Sequence, residues 1–448
     1  MSVTFHSRSV GMIEKCRVLH RATDKFPSSG AFKDGGELDM TGYKARLLGL
    51  ATSVALASAI ATSQAQDSIS GGAIKIGILN DMGSAYSDTV GEGLRQTVLW
   101  AVEDFGGTVN GVPVEVLNAD TQLKADIAST TARRWIDEDK VDVLVAGSGS
   151  PISLAAMEVG KEKGVAVLNT GGLSSDLSGK FCSEIATHWS LDTYAAARGG
   201  AKAGIAADAK KWFFVTADYS FGEALQRDTE AELKRLGGQE IAGSVRAPLG
   251  TTDFSSFLLQ AQSSGADTVA FANAGNDTMN SLKQASEFGL ASGGQKLIGL
   301  VTSITDTYSL GLDVAQGLLV TESFYWDRDD ASRAYARRFE KKFGRMPTQS
   351  HAVAYSAVTH YLRAAVAAKS DDGKTVTAQM KTMPVQDFFA IDGKVREDGR
   401  MIPSYIYLLQ AKAAADSKEP WDLYNIVEKL PGDQAYRPLA DSDCPLVK

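Results

Sequence analysis

The sequence predicts an α/β protein made of two lobes, each a doubly wound parallel β-sheet covered by helices. Short apolar runs such as IKIGIL (74–79) alternate with longer Ala-rich or amphipathic segments, the pattern of buried parallel strands and their crossover helices. The alternation runs to completion and then restarts as a whole after residue 189. Two lobes account for this restart better than one sheet of extreme width.

The first series predicts one complete lobe with β-α-β-α-β-α-β order. Its strands are predicted at residues 73–81, 112–120, 141–147 and 164–172. Its helices are predicted at 91–105, 125–138 and 152–163. The first strand is a continuous apolar run, as expected for a strand covered on both faces of its sheet.

The second series predicts another lobe of the same kind. Its strands are predicted at 211–218, 240–247, 266–275 and 295–302, and its helices at 190–206, 221–236, 254–264 and 277–289. Two more helices, at 330–343 and 349–367, and a strand at 404–412 follow. No long Pro, Gly or Ser-rich linker separates the series, so we expect short crossing strands between the lobes.

The composition describes a folded, acidic protein. Of the 448 residues, 44% are hydrophobic and 22% are charged, which is typical of globular chains with a full core. The formal net charge is −8 at pH 7, and no long basic run occurs. Nucleic acid is therefore not an expected partner.

Residues 40–65 have the layout of a secretory signal peptide. Lys44 and Arg46 precede an apolar stretch at 47–60, which is too short to span a bilayer, and a small-x-small cleavage site ends at Ala65. We therefore expect export and cleavage near Ala65. An uncleaved anchor or a buried helix is the alternative.

Residues 1–39 are an unusual prefix for such a signal. We interpret them as an upstream extension that does not belong to the native protein, with translation beginning at Met40. This interpretation concerns the start of the chain only and leaves the predicted lobes unchanged.

The cysteines agree with export. Cys16 lies in the prefix, which leaves Cys182 and Cys444. An oxidising compartment favours one disulfide between these two, tying the C-terminus to the middle of the chain. Two free buried thiols are the alternative. Neither cysteine belongs to a CxxC pair, so the sequence does not support a zinc site.

Motifs for catalysis or cofactor binding are missing from the sequence. It contains no HExxH, no GxSxG elbow and no GxxxxGK[ST] phosphate loop. The segment GEGLRQ (91–96) lacks the third glycine of a dinucleotide fingerprint and lies within a predicted helix. We therefore predict a protein that is not an enzyme and that needs no cofactor or metal.

The clearest candidate site is VAGSGSPISLAAM (145–157), where a strand leads through a Gly/Ser turn into a helix. Ser148, Ser150 and Ser153 crowd the helix start, and Pro151 suits its first turn. The free N–H groups and the helix dipole there favour a carboxylate or similar anion. Plain N-capping by one serine is the alternative.

Four further polar loops follow predicted strands in the same way, at the sheet edge where open α/β sheets bind ligands. Their candidate residues are Asn169, Thr170 and Gly171; Tyr219 and Phe221; Asn273, Asn276 and Asp277; and Thr302 within the segment 300–306. A single loop of this kind is compatible with turn formation or helix capping. Five loops at equivalent strand ends predict a shared cleft between the lobes.

The order and spacing of these motifs resemble the periplasmic solute-binding proteins of ABC uptake systems, in the leucine/isoleucine/valine-binding, type I family. The resemblance covers residues 73–448. The segments that carry it are IKIGILND (74–81), GSGSPISLAA (147–156), NTGG (169–172), DYSFGEAL (218–225), the run at 248–275, GLLVTESFYWDRDD (317–330), MPTQSHAVAYSAVTHYL (346–362) and DCPLVK (443–448).

The resemblance implies lobes that are joined by a hinge of three strand crossings and close around a solute. It assigns residues 73–189 plus 324–387 to lobe 1 and 190–323 plus 388–448 to lobe 2. It also implies a monomer in the periplasm that delivers a small carboxylate to an ABC permease in the inner membrane.

The resemblance also implies the residues of the ligand site. The turn from Ser150 to Ser153 should hold the ligand carboxylate, and His351 stands where the family often has an aromatic residue. The full set of expected ligand contacts is Ser150, Ser153, Asn169, Thr170, Gly171, Trp189, Tyr219, Phe221, Asn273, Thr302 and His351.

The ligand class stays open between two carboxylates. An amino acid needs an acidic residue to receive its ammonium group, and Asp277, Asp306 and Glu322 are equally weak candidates for that role. The supply of aromatic side chains favours an aromatic or otherwise hydrophobic acid first and a branched-chain amino acid second. These side chains are His188, Trp189, Tyr219, Phe221, Tyr325 and Trp326, and core packing is the alternative for the last two.

Two other functions are compatible with parts of this pattern. A receptor that reports the solute to a sensor would have the same fold and the same site. An exported hydrolase would need a histidine and an acid near Ser150 or Ser153, for which His188 and His351 are the candidates. The missing nucleophile elbow makes the hydrolase the weakest alternative.

Overall fold

The computed structural model describes residues 69–447. The predicted extension at 1–39, the signal sequence at 40–65 and its cleavage near Ala65 lie outside the described residues. Within 69–447, no helix combines the length and the apolar character that a membrane crossing requires.

The first lobe is built on a six-stranded sheet. Its strands are β1 (Ile74–Asn80), β2 (Thr108–Val109), β3 (Val112–Asp120), β4 (Val143–Ala146), β5 (Ala166–Asn169) and β6 (Ala186–His188). Their order is β2-β3-β1-β4-β5-β6, and every pair except β2–β3 is parallel. The connecting helices are α1 (Gly91–Phe105), α2 (Ala125–Arg134) and α3 (Ser150–Lys163).

Strand β1 shows why these strands read as continuous apolar runs. Ile76 and Ile78 are fully buried in the cluster that contains α1, whereas Leu79 belongs to the cluster on the opposite face. On that opposite face the ring of Trp135 packs directly over Gly77, where a Cβ would lie 2.7 Å from it. Both faces of the strand are covered, so most of its side chains are apolar.

The second lobe repeats the arrangement with four parallel strands. Its elements are α4 (Thr193–Ala206), β7 (Lys211–Ala217), α5 (Ser220–Leu236), β8 (Glu240–Ala247), α6 (Ser255–Ser263), β9 (Thr268–Ala272), α7 (Asn276–Glu287), β10 (Lys296–Gly299), α8 (Ile304–Leu310) and α9 (Leu312–Ala315). The strand order is β10-β9-β7-β8. Trp212 and Phe214 of β7 pack on one face, and Phe213 and Val215 on the other.

The rest of the chain joins the lobes. Its elements are β11 (Leu319–Glu322), α10 (Asp330–Phe343), α11 (Gln349–Ala368), α12 (Gly373–Thr382), β12 (Pro384–Val385), β13 (Gly393–Val395), β14 (Met401–Ile402), β15 (Tyr405–Ala411), β16 (Tyr424–Pro431) and α13 (Gly432–Ala435). Helix α11 packs on α1 of the first lobe, whereas β11 packs on α4 of the second. The chain therefore passes between the lobes three times, after β6, β11 and β14.

Arg328, in the second crossing, joins it to the loop between β12 and β13 and to β15. Its guanidinium donates hydrogen bonds to the carbonyls of Phe388 (2.5 Å) and Phe389 (2.7 Å) and lies 5.2 Å from the ring centre of Phe324 and 5.4 Å from that of Tyr407. Its side chain is almost fully buried. Strand β15, which contains Tyr407, pairs with both β11 and β16 in an antiparallel sheet. These contacts give the hinge a rigid base.

The predicted fold class of two parallel-sheet lobes and a three-crossing hinge is confirmed, and each predicted strand and helix has a counterpart. The elements that the sequence pattern did not reveal are short or have one exposed face. Strand β6 has three residues, and β16 alternates buried and exposed positions instead of forming an apolar run. The exact limits of the lobes stay a prediction.

A disulfide joins Cys182 and Cys444, whose Cα atoms lie 5.6 Å apart. Cys444 is fully buried, and 262 residues separate the two along the chain. The bond ties the C-terminal segment to the loop before β6. Cys16 lies outside the described residues.

We expect that replacing both bonded residues, Cys182→Ser with Cys444→Ser, lowers the free energy of unfolding by about 2–5 kcal/mol, because the unfolded chain loses a long covalent loop. Urea unfolding followed by circular dichroism measures the change. All proteins carry Cys16→Ser, so that the thiol count concerns this pair alone. Two free thiols in the unreduced parent protein would contradict the bond.

Candidate ligand-binding site

A cavity lies where the strand ends of the two lobes face each other. The first lobe and the returning segment contribute Tyr86, Thr89, Val90, Ser148, Gly149, Ser150, Gly171, Leu173, Thr348, Gln349, Ser350 and Val353. The second lobe and the first crossing contribute Ser190, Leu191, Tyr219, Phe221, Ala274, Gly275, Val301 and Ser303. All five polar loops predicted from the strand ends contribute to this one wall.

The size of the cavity suits a small molecule. Its volume is about 70 Å³. A single water needs about 10–15 Å³ on the same measure, so the cavity has room for about five waters.

The start of α3 forms one end of the cavity. The amide groups of Ser150 and Ile152 lie in the first helical turn, where they have no acceptor within the helix, and Pro151 between them has no N–H. The hydroxyl of Ser148 is buried and has no hydrogen-bond partner in the described chain. The Ser150 hydroxyl accepts a bond from the Ser174 amide (3.0 Å) and keeps its own proton free to donate.

None of these serines caps the helix, so the N-capping alternative does not apply to α3. The N-cap of α3 is Gly149, at φ 70°, and no side chain caps the helix. Ser153 lies one turn inside the helix, fully buried and outside the cavity wall. A Cβ on Gly172 would lie 2.4 Å from the Ser153 hydroxyl oxygen, so this side chain packs directly on the neighbouring loop.

Of the three residues predicted in the loop after β5, only Gly171 lies in the cavity wall, and Leu173 of the same loop lies there too. The side-chain amide of Asn169 donates to the Thr187 carbonyl (3.1 Å), and the Thr170 hydroxyl donates to the Ala146 carbonyl (3.3 Å). Both side chains are buried and hold strands together. Gly171 lies against Gly147 so closely that a Cβ would come within 2.0 Å of the Gly147 carbonyl oxygen.

In the second lobe, Tyr219 and Phe221 line the cavity, whereas Asn273 and Thr302 do not. The Asn273 side chain accepts a bond from the Thr278 hydroxyl (2.9 Å) and donates to Ser281 (3.1 Å). Asn273 therefore organises the start of α7, and its neighbours along the chain form the wall. The buried Thr302 hydroxyl has no partner in the described chain.

Trp189 and His351 also lie behind the wall. The indole N–H of Trp189 donates to the Thr187 hydroxyl (2.8 Å), and its ring packs beside His360. His351 accepts a hydrogen bond from the Thr348 amide (2.9 Å) and completes the capping of α11. Burial lowers the pKa of His351 to about 3, so this ring is neutral.

Tyr325 and Trp326, two of the aromatic residues that the sequence offered as ligand contacts, lie in the core of the hinge. The hydroxyl of Tyr325 donates to the Tyr424 carbonyl (3.4 Å), and the indole N–H of Trp326 donates to the Trp421 carbonyl (2.9 Å). His188 is also buried, with Nε2 2.8 Å from the Gly172 carbonyl. The core-packing alternative therefore describes Tyr325 and Trp326.

The sequence reasoning missed several residues of the wall. Tyr86 and Thr89 follow the end of β1, so the strand-end rule applied to the first strand would have found them. Gln349 and Ser350 begin α11 and approach the cavity from a distant part of the chain. No local signal marks them, because only the return of the chain to the first lobe brings them there.

Within residues 69–447, no Asp, Glu, Lys, Arg or His lines the cavity. Three buried carboxyl groups in the second lobe and hinge lie behind it. Burial raises the pKa of Asp277 to about 6 and that of Asp306 to about 6, and it raises the pKa of Glu322 well above its usual value. Asp306 is held in the capping box of α8 by Ser303.

The histidines do not form the arrangement that a serine hydrolase needs. His188 contacts the Ser178 hydroxyl (3.3 Å) and the Gly172 carbonyl. His351 bonds to Thr348 and to the Val90 carbonyl. Neither ring contacts Ser150 or Ser153, so no base stands beside these hydroxyl groups.

The raised pKa of Asp277 predicts a pH effect on stability. Between about pH 4 and about pH 6 the folded protein keeps a proton that the unfolded chain has released, so the free energy of unfolding falls as the pH rises. Asp277→Asn removes this proton uptake. The free energy of unfolding of the variant should therefore decrease by about 1–3 kcal/mol less over this pH range than that of the parent protein. Urea unfolding at about pH 4.5 and about pH 7 measures the difference.

The matched control is Asp433→Asn, which changes an exposed carboxylate. This variant should keep the pH dependence of the parent protein. An equal slope for Asp277→Asn and the parent would contradict the assignment.

This chain is similar to known proteins over both lobes. A family model described as periplasmic binding protein matches residues 73–417. A periplasmic binding protein of Burkholderia mallei is 44% identical, with a TM-score of 0.82, over 84% of this chain and 99% of that chain.

Two further relatives carry more specific names. A branched chain amino acid ABC transporter periplasmic ligand-binding protein of Burkholderia xenovorans is 38% identical, with a TM-score of 0.73, over 84% of this chain and 100% of that chain. The Leu/Ile/Val-binding protein homolog 6 of Brucella melitensis is 26% identical over 355 residues, which is 77% of this chain and 88% of the relative.

These matches confirm the family resemblance and the absence of an enzymatic role, because the family consists of solute carriers of transport systems. They agree with a cavity between two lobes whose wall, within residues 69–447, contains no Asp, Glu, Lys, Arg or His. The chain belongs to the family of periplasmic binding proteins, which bind small molecules in the periplasm and work with ABC transporters.

Proposed function

We propose that this protein is exported with cleavage near Ala65, captures a small carboxylate with an aromatic or otherwise hydrophobic body, and delivers it as a monomer to an ABC permease in the inner membrane. The observation that carries the proposal is the contrast within the cavity. One end presents unpaired hydrogen-bond donors, and the remaining wall is uncharged.

The carboxylate fits the end formed by the start of α3. The first-turn amide of Ser150 and the free hydroxyl of Ser148 are the donors there. Hydrogen bonds to a carboxylate are about twice as strong as neutral ones, and the positive end of the helix dipole adds to them. A buried anion can therefore be held without a cationic side chain.

The body of the ligand fits the apolar part of the wall. Tyr86 and Phe221 supply rings, and Leu191, Val301 and Val353 supply aliphatic surface. Burying an apolar body against such a wall gives affinity, while the fixed ring positions select its shape.

A branched-chain amino acid is the second candidate. The name of the Burkholderia xenovorans relative favours it, since that protein is 38% identical to this chain. The cavity supports it less, because an ammonium group buried without a carboxylate partner is costly. The carboxyl groups of Asp277 and Asp306 accept hydrogen bonds from the backbone amides of Gly250 (3.1 Å) and Ser303 (2.8 Å) and do not line the wall.

A thermal-shift screen tests the ligand class. Benzoate, 4-hydroxybenzoate and phenylacetate should raise the melting temperature in proportion to the logarithm of their excess over Kd, and more strongly than leucine or valine do. A larger shift with leucine would replace the first candidate by the second. No shift with any carboxylate would contradict the proposal.

Ser148→Ala tests the anion end. We expect this variant to weaken the best carboxylate about tenfold, because one donor to the anion is lost, while the melting temperature without ligand stays unchanged. Isothermal titration calorimetry measures the affinity. Ser183→Ala is the matched control, since Ser183 is also buried with an unpaired hydroxyl but lies outside the cavity wall. Equal affinities of the two variants would refute the anion end.

A further inference from the structure

The loop after β1 is shaped by one buried carboxylate. Asp81 accepts hydrogen bonds from the amide of Ser84 (2.9 Å), from its hydroxyl (2.6 Å) and from the amide of Tyr86 (2.8 Å). These bonds fix the turn that carries Tyr86. Tyr86 is buried although it lies on a loop.

This loop of the first lobe packs against the backbone of the second lobe at Gly275 and Asn276. Gly275 has a φ of 59°, and a Cβ there would lie 2.8 Å from both the Ala85 carbonyl oxygen and the Tyr86 ring. The amide of Asn276 donates to the same Ala85 carbonyl (3.3 Å). The position requires glycine, both for its left-handed backbone and for the close approach.

At this contact between the lobes, the hydroxyl groups of Tyr86 and Tyr219 are in hydrogen-bond contact. Tyr219 is held from behind by the ring of Phe221, 5.8 Å away, and its amide donates to the Ala217 carbonyl (2.9 Å). Burial raises the pKa of both tyrosines above the usual phenol value, so one neutral hydroxyl donates to the other.

We infer that Tyr86 and Tyr219 form a latch between the lobes, which stabilises the closed protein and sets the rate at which a bound solute leaves. Both residues line the cavity, and the bond between them joins the two lobes at its wall. A bond that exists only when the lobes touch adds its free energy to the closed state alone and shifts the population toward it. The inference concerns closure itself and rests on the proposed ligand class only for its second readout.

The first test measures closure without ligand in the full chain. Spin labels on Asp126→Cys in α2 and Lys283→Cys in α7, both exposed positions, report the distance between the lobes by pulsed electron resonance. All proteins carry Cys16→Ser. Tyr86→Phe and Tyr219→Phe should each lower the ratio of closed to open molecules about threefold to tenfold, the usual effect of one neutral hydrogen bond.

The double variant separates a latch from two independent effects. Both single changes remove the same bond, so Tyr86→Phe with Tyr219→Phe should lower the ratio no further than either change alone. Tyr405→Phe, which removes an exposed hydroxyl, is the matched control and should leave the ratio unchanged. Additive effects, or no change in either single variant, would overturn the latch.

The second test uses benzoate and leucine as probes in stopped-flow release experiments. The latch predicts faster dissociation of the bound probe from Tyr86→Phe, by about threefold to tenfold, with an unchanged association rate. Slower association with unchanged dissociation would overturn it. If neither probe binds the parent protein, the proposed ligand class fails, while the distances between the lobes still decide the latch.

Discussion

The floor of the cavity depends on the close approach of two backbone segments at Gly171. This glycine lies against Gly147 at a distance that no side chain permits, and its carbonyl accepts a hydrogen bond from the Gly149 amide (3.0 Å). The contact holds the loop after β5 against the turn that opens α3. The turn is held there, so Ser148, Gly149 and Ser150 line the cavity between the lobes. A residue with a Cβ at position 171 would separate the two loops and move the donors away.

The electrostatics of the site follow from this arrangement. In the function that we propose, amide and hydroxyl dipoles bind the anion; the fold fixes them before the ligand arrives, and they need no counter-charge. The buried carboxyl groups nearby are engaged in building loops: Asp81 shapes the turn that carries Tyr86, Asp277 accepts from the Gly250 amide, and Asp306 caps α8. They organise the wall from behind, and the raised pKa values of Asp277 and Asp306 reflect their burial.

Much of the fold could be predicted from local patterns, and less of the site. The strands with two buried faces, β1 and β7, were found because burial on both faces leaves a continuous apolar run. The polar residues at the predicted strand ends then located five of the loops that form the wall, but not the loop after β1 that carries Tyr86. They did not identify which side chain of each loop faces the ligand: Asn169 and Asn273 look like ligand donors in the sequence, but their amides bond to neighbouring backbone and hydroxyl groups. The position of a residue after a strand does not show whether its side chain faces the ligand, because a buried polar side chain forms hydrogen bonds with whichever partner lies nearest.

By itself, the sequence determined the alternation of strands and helices, the division into two lobes and the polar character of the strand ends, because these follow from burial and from backbone geometry over a few neighbouring residues. The tertiary structure alone decided the membership of the cavity wall. Gln349 and Ser350 reach the wall because α11 returns to the first lobe after the second crossing. Tyr86 contacts Tyr219, which lies 133 residues later in the chain. Such contacts depend on how the two lobes and the hinge pack in three dimensions, and no local pattern encodes that packing.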